Sequence, residues 1–262
     1  MNAPRMPALF VGHGSPMQAI EPNAYTAQWL ELVAQLPRPR AILSISAHWY
    51  TRGTGVTMAD PPPTIHDFYG FPAALYACQY PAPGSRTLAA RVRELMGPDR
   101  VREDTGWGLD HGTWSVLRYL YPAADIPVVQ LSIDGTLGGA ELYQQARALA
   151  PLREAGVLVL GSGNVVHNLR ALQRQPGAAP PAPALAFNAA VRKAVLSGDH
   201  ATLMDYAALP GAEFSVPTPE HYLPLLFVLA IQDAADECSI PVDGMEMGSL
   251  SMMCVLLRAA AN

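Results

Sequence analysis

Histidines carry the chemistry that this sequence suggests. His13 ends the run "PALFVG" (7–12), and His48 ends "AILSISA" (41–47). His167 lies in "GSGNVVHNL", behind the run "GVLVLGSG" (156–163). Two more stand in irregular segments just before helix-like stretches, His111 in "GLDHGTW" and His221 in "PTPEHYLPL". A neutral imidazole is a common ligand for divalent metals, and its ordinary pKa also suits it to acid–base work near neutral pH. One histidine near an apolar strand is more often a hydrogen-bonded structural residue. Several gathered at one place need a metal or a reaction to justify their burial. The last two of the seven read differently. His200 follows "SGD", where Asp199 suits a helix N-cap, and reads as a solvated first-turn residue. His66 belongs to "TIHDFYGFP", and the aromatic segment 64–72 suits a lid over a crevice or a loop packed on the domain.

The elements that must position these residues follow from hydrophobic pattern. Runs 7–12, 41–47, 126–133 and 156–163 read as buried strands. Stretches 23–36, 85–96, 113–121 and 138–155 have helical spacing. Further helices are expected near 184–197 and 221–235, and a last strand at 249–258. Buried strands alternating with helices predict a three-layer α/β/α fold around a central, mainly parallel, mixed sheet. In such a sheet the loops that follow the strands share one edge, where ligands bind. His13, His48 and His167 would therefore project into one crevice. The proline-rich stretch 175–185 reads as a surface loop, so residues 1–262 are expected to form one domain.

The 262 residues are 50% apolar and 15% charged, which suits a sizeable core and argues against disorder. A net charge of −5 gives no reason to expect nucleic acid or an anionic membrane as partner. No apolar run approaches the length of a membrane span, and the N-terminal run is too short for a secretory signal. Three widely spaced cysteines read as reduced thiols of a cytoplasmic protein. Nothing in the residues specifies an oligomeric state. The sequence lacks HExxH, CxxC, a phosphate loop and a GxSxG elbow, so any metal would be held by ligands scattered along the chain.

Six motifs in order, "GHGSP", "SAHW", "DFYGFP", "LDHGTW", "GSGNVVHNL" and "EHYLPL", resemble the extradiol ring-cleavage dioxygenases of the 4,5-DOPA dioxygenase type, relatives of the protocatechuate 4,5-dioxygenase catalytic subunit. The resemblance runs from about residue 7 to 257. It implies a mononuclear non-haem Fe(II) enzyme that inserts both atoms of O2 into a catechol and yields a muconate semialdehyde. By position His13 and His48 match the first two metal ligands, and His221 the third, with Glu220 as the alternative. His167 matches the acid–base histidine and His111 the one that hydrogen-bonds substrate. Tyr222, Trp49 and the "DFYGFP" rings, Phe68 among them, are expected to wall the site. Fe(II) is expected for activity, and Zn(II) suits three histidines equally well as the metal found on isolation. The alternatives are a zinc-dependent hydrolase on the same scaffold and a non-catalytic metal- or peptide-binding module. A DOPA-like substrate would need a cation or amide for its carboxylate, and none of Arg52, Arg118 and Arg170 stands out for that task.

Overall fold

Four apolar runs form the middle of one sheet. The computed structural model describes residues 5–173, 175 and 178–260. Its strands are β1 (Ala8–Gly12), β2 (Ala41–Thr51), β3 (Thr54–Thr57), β4 (Val101–Asp104), β5 (Val128–Asp134), β6 (Val157–Gly163), β7 (Asp236–Val242), β8 (Met245–Glu246), β9 (Leu250–Ser251) and β10 (Cys254–Ala259). Eight of them join in the order β4-β3-β5-β2-β6-β1-β10-β7. The central pairs β5–β2, β2–β6 and β6–β1 are parallel, as is the outlying pair β3–β4, whereas β3–β5, β1–β10 and β10–β7 are antiparallel. The expected mixed, mainly parallel sheet is therefore the observed one.

Alternating side chains feed two cores, one on each face of the sheet. Ala8 and Phe10 of β1 join Leu88 and Val92 of the helix Arg86–Met96, Val191 of Ala182–Ser197 and the fully buried helix Leu223–Ala230. Leu9 and Val11 instead meet Trp29 of Ala24–Val33 and Trp114 of His111–Leu120. Helices thus cover both faces, and the chain is a three-layer α/β/α protein. Local chemistry starts these helices. The Asn23 side chain accepts from the backbone N–H groups of Tyr25 and Thr26, Ser85 from that of Leu88, and Asp110 from that of Thr113.

Several boundaries differ from expectation. β2 runs on to Thr51, so His48 lies inside the strand and not behind it. The helix His111–Leu120 begins at His111, because Asp110 caps it two residues earlier than the apolar spacing suggests. The segment 138–155 breaks after Ala146 into a 3-10 turn and the short helix Pro151–Glu154. The expected strand 249–258 splits: β9 pairs with β8 in a separate two-stranded sheet, and only β10 enters the main one. β3, β4 and the edge strand β7 are short or partly exposed and carry no continuous apolar signature. The helix after the proline-rich stretch starts at Ala182; residues 176 and 177 of that stretch lie outside the described residues. His200 is half-buried and pairs with the Tyr143 hydroxyl at 2.6 Å, so it is less solvated than its place in a first turn suggested. Among the described residues no helix is long and apolar enough to cross a membrane.

A buried ion pair ties the far side of the sheet together. The Arg153 guanidinium donates to both carboxylate oxygens of Asp236 and to the carbonyls of Met6 and Ile231, at 2.7 and 3.0 Å for the carbonyls. Removing one partner strands a charge in a place that water does not reach. Asp236→Ala is expected to lower stability by about 3–5 kcal/mol, read as the shift in a urea unfolding curve.

Candidate active site

Each histidine reaches the site from a different element. His13 leaves the tip of β1, and its backbone N–H donates to the Gly163 carbonyl at 2.9 Å. His48 sits where β2 departs from regular pairing. Ile45 opposes Leu131 and Tyr50 opposes Ile133, so four residues of β2 bulge against a single residue of β5. A bulge re-aims the side chains that it carries. His111 is the first residue of its helix. His221 precedes the helix Leu223–Ala230, and its carbonyl accepts from the Asn164 N–H at 2.8 Å. That turn lies directly on β6, where a Cβ on Gly163 would overlap the His221 carbonyl oxygen. His167 follows β6, bridges to Leu250, and donates its backbone N–H to the Ser215 carbonyl at 2.8 Å.

The structure brings all five together. The ring centroids of His13 lie 5.1, 6.0 and 5.3 Å from those of His48, His111 and His221. The rings of His167 and His221 stack at 3.4 Å and 5°. Ligand atoms of His13, His48 and His111 lie within 4.8 Å of one another, as do those of His167, Glu220 and His221.

The outer nitrogens of three rings are hydrogen-bonded to acceptors, and that of His48 lies near a carboxylate. Ser162 donates its hydroxyl to the Gly112 carbonyl at 2.6 Å, so toward His13 Nδ1 at 3.0 Å it can only accept. Asp67 Oδ2 accepts from His111 Nδ1 at 2.9 Å and lies 3.4 Å from His48 Nδ1. Glu220 Oε1 faces His221 Nδ1 at 3.2 Å. In His13, His111 and His221 the acceptor holds the ring proton on Nδ1 and leaves a lone pair on Nε2. His13 Nε2 and His48 Nε2 then face each other at 3.3 Å, and His221 Nε2 is buried with no partner. Two nitrogens bound to one metal at about 2.0–2.1 Å stand about 3.0–3.4 Å apart, so the His13–His48 spacing fits a shared ion. Burial, reinforced by the neighbouring histidines, holds the pKa values of His13, His48 and His221 well below the ordinary value. Burial, with His111 beside it, brings His167 down to about 4. These four rings are neutral at neutral pH, the form in which imidazole binds metal.

The rings open on a cavity of about 620 Å³. Segment 64–72 forms one of its walls. Phe68 is buried edge-on to His111 at 5.5 Å, while the Ile65 N–H and His66 ring tie the segment to Leu109 and Cys78. Two expected wall residues lie elsewhere. Tyr222 is fully buried in the core against Tyr206 and Phe187, its hydroxyl donating to the Leu203 carbonyl at 3.0 Å. It is the residue just before the apolar helix Leu223–Ala230, and its ring turns inward with that helix. Trp49 points away from its neighbour His48 and stacks on Trp107 at 5.5 Å. Glu220 meets the outer nitrogen of His221 and is not part of the cavity wall.

Sequence reasoning missed Asp67, Ser162 and Asp110. Asp67 stood inside the "DFYGFP" motif, where the aromatic rings drew the attention. Asp110 is buried with its pKa raised to about 6, chiefly by burial and then by the Asp67 charge. It hydrogen-bonds Gln130 and starts the helix that carries His111. Ser162 had no sequence signal, since its partner His13 is 149 positions away.

The family described as the catalytic LigB subunit of aromatic ring-opening dioxygenase matches residues 6–232. A 4,5-DOPA dioxygenase extradiol of Escherichia coli (strain K12) is 52% identical over 260 residues, covering 97% of this chain and 96% of that protein. The protein of that name from Beta vulgaris is 41% identical over 224 residues, covering 82% of this chain and 83% of its own. The crystal structure of an uncharacterized protein from Escherichia coli K12 superposes with a TM-score of 0.84 at 48% identity, covering 96% of this chain and 99% of that one. On this evidence the chain belongs to the LigB family of aromatic ring-opening dioxygenases and is an extradiol dioxygenase.

Proposed function

We propose that this dioxygenase opens the ring of a catechol, DOPA-like or related, beside its two hydroxyls and yields a muconate semialdehyde. Fe(II) would be held by Nε2 of His13, His48 and His221. The observation that carries the reading is the convergence of three Nε2 atoms: those of His13 and His48 stand 3.3 Å apart, and that of His221 is buried without a partner. Ferrous iron, when bound, supplies a redox-active Lewis acid able to bring O2 and a catechol together. Both oxygen atoms enter the product, one in the new carboxylate and one in the new aldehyde.

The chain's own residues handle the protons and the ring. His111 has its Nδ1 proton committed to Asp67, so its Nε2 faces the cavity as an acceptor for a catechol hydroxyl. Once protonated there, it donates to negative charge that develops on the substrate, and the Asp67 carboxylate steadies the imidazolium. His167, neutral and lining the same cavity, takes a proton from the second hydroxyl and returns it as the ring opens. Phe68 flanks the bound ring, and the surrounding apolar wall limits water.

Anaerobic loading with Fe(II), followed by L-DOPA or caffeate and O2, should consume O2 and give a yellow semialdehyde; the Zn(II)-loaded protein should not. His167→Ala should keep its metal and lose about 10²–10⁴-fold in turnover. Absence of O2 uptake with every member of a catechol panel would overturn the reading. The third ligand is tested by metal content: His13→Ala and His221→Ala should abolish tight binding with the far-UV circular dichroism unchanged, and Glu220→Gln should only weaken it. The opposite order would make Glu220 the ligand. Asp67→Ala, which frees two outer ring nitrogens, should weaken metal binding by about 10–100-fold in a chelator competition.

A further inference from the structure

The histidines make the floor of the cavity, and part of the wall above them comes from two segments that no sheet joins. One is 14–17, directly behind His13, with Met17 on the wall. The other is the β8–β9 hairpin, which supplies Met247 and Leu250 and stands outside the main sheet. Its β9 strand is tied to the chain around His167. Leu250 bridges to His167, and the Ser251 N–H donates to the Val166 carbonyl at 2.9 Å. Its β8 strand is tied the other way, to the chain that follows His13.

Glu246 makes that second tie. Its Oε2 accepts from Gln18 Nε2 at 2.8 Å, and its Oε1 accepts from Asn23 Nδ2 at 3.1 Å. Both partners are fixed by other bonds. Gln18 is 3% exposed, and its backbone carbonyl accepts from the Tyr119 hydroxyl at 2.5 Å. Asn23 caps the helix Ala24–Val33 with Oδ1 while its amide nitrogen turns to Glu246. Bonds to an ionised carboxylate are stronger than those between neutral groups. The amide of Gln18 adds a second sign. Its Oε1 is buried with no partner among the described residues, an unfavourable state for a polar atom. The reverse orientation would set that oxygen against the carboxylate, so the bond to Glu246 decides how the amide lies. The pair is also built onto the backbone behind His13. A Cβ on Gly14, where φ is 61°, would stand 2.3 Å from Gln18 Nε2 and 2.8 Å from Glu246 Oε2.

We propose that Glu246 and Gln18 are positioning residues for the substrate: their hydrogen bond clasps the hairpin to the segment behind His13 and holds the two walls at the spacing that grips whatever the catechol ring carries. This rests on the reading of the floor as the site of a catechol dioxygenase. Neither side chain lines the cavity, so both act through the wall residues beside them, Met17 and Met247. The floor has supports of its own. The His13 backbone N–H is held by the Gly163 carbonyl and its ring by Ser162. Opening the clasp therefore loosens the wall and spares the floor.

The test is anaerobic calorimetric titration of the Fe(II)-loaded protein with catechol, caffeate and L-DOPA. It compares the wild type with Glu246→Ala, Gln18→Ala, the double variant and Glu246→Gln. Glu246→Ala should weaken caffeate and L-DOPA about tenfold, the order of one lost charge-assisted hydrogen bond, and change bare catechol by less than about twofold. The double variant should lose no more than either single one, because both remove the same bond. Glu246→Gln still accepts from Gln18 and should recover most of the affinity. Equal weakening of all three ligands would make the pair a general support of the fold and overturn the proposal. So would additive losses, or unchanged affinities in Glu246→Ala. Hydrogen exchange on the same metal-loaded proteins tests the clasp without any catechol. The amides of 17–21 and 245–250 should exchange faster in Glu246→Ala and no faster again in the double variant; unchanged exchange overturns the clasp. Admitting O2 separates the two readings. Faster exchange with no catechol bound, or selective weakening with no O2 uptake, keeps the clasp and refutes the dioxygenase. Uptake with exchange and affinities unchanged does the reverse.

Discussion

Imidazole nitrogens gathered and aimed at one another in a dry space are the constraint on which the rest of this structure depends. His13 Nε2 and His48 Nε2 stand 3.3 Å apart, and His221 Nε2 has no partner at all. Left alone, such an arrangement is unfavourable, because buried acceptors without donors lose the hydrogen bonds that water gave them. It persists because the outer nitrogens of three rings are fixed. Ser162, Asp67 and Glu220 each hold an Nδ1 proton and so decide where the lone pairs go. A cation turns the same arrangement from a conflict into a binding site.

The three-layer scaffold supplies rigidity at the places that matter. β1 and β6 are parallel neighbours, which sets His13 beside Ser162. Glycines in β6 let the turn before the helix Leu223–Ala230 lie against the sheet, which brings His221 down to the same level. The bulge in β2 swings His48 toward both, and the Asp110 cap holds His111 at the start of its helix. Asp67 then joins two of these elements through one carboxylate, so the aromatic segment 64–72 is tied to the chemistry as well as to the cavity wall.

Polar and apolar surface are divided along the depth of the cavity. Under the proposed function the floor would meet what all catechols share, a pair of adjacent hydroxyls. The wall from Met17 to Leu250 meets whatever else the ring carries. The wall segments lie outside the eight-stranded sheet, where substitutions change shape and polarity without disturbing it. Substrate preference within one ring-opening chemistry can therefore shift while the histidines stay in place.

The sequence by itself determined the layers and the tips. Apolar runs ending at His13 and before His167, with amphipathic helices between them, already required a sheet with helices on both faces and a shared edge. The helical spacings that begin at Asn23 and Ser85 agree with the observed helices Ala24–Val33 and Arg86–Met96, which those two side chains cap. The relation between distant groups was decided only in three dimensions. His48 sits in a bulge that exists only because β2 pairs with β5, so the apolar run alone ended the strand too early. Tyr222 and Trp49 each neighbour a site histidine in sequence, yet face away from it, because side chains at successive positions point in different directions and the core claimed both. Asp67 meets His111 across 44 positions and Ser162 meets His13 across 149. Ring tautomers depend on such partners, and no local pattern encodes a contact that the chain makes only after it has folded.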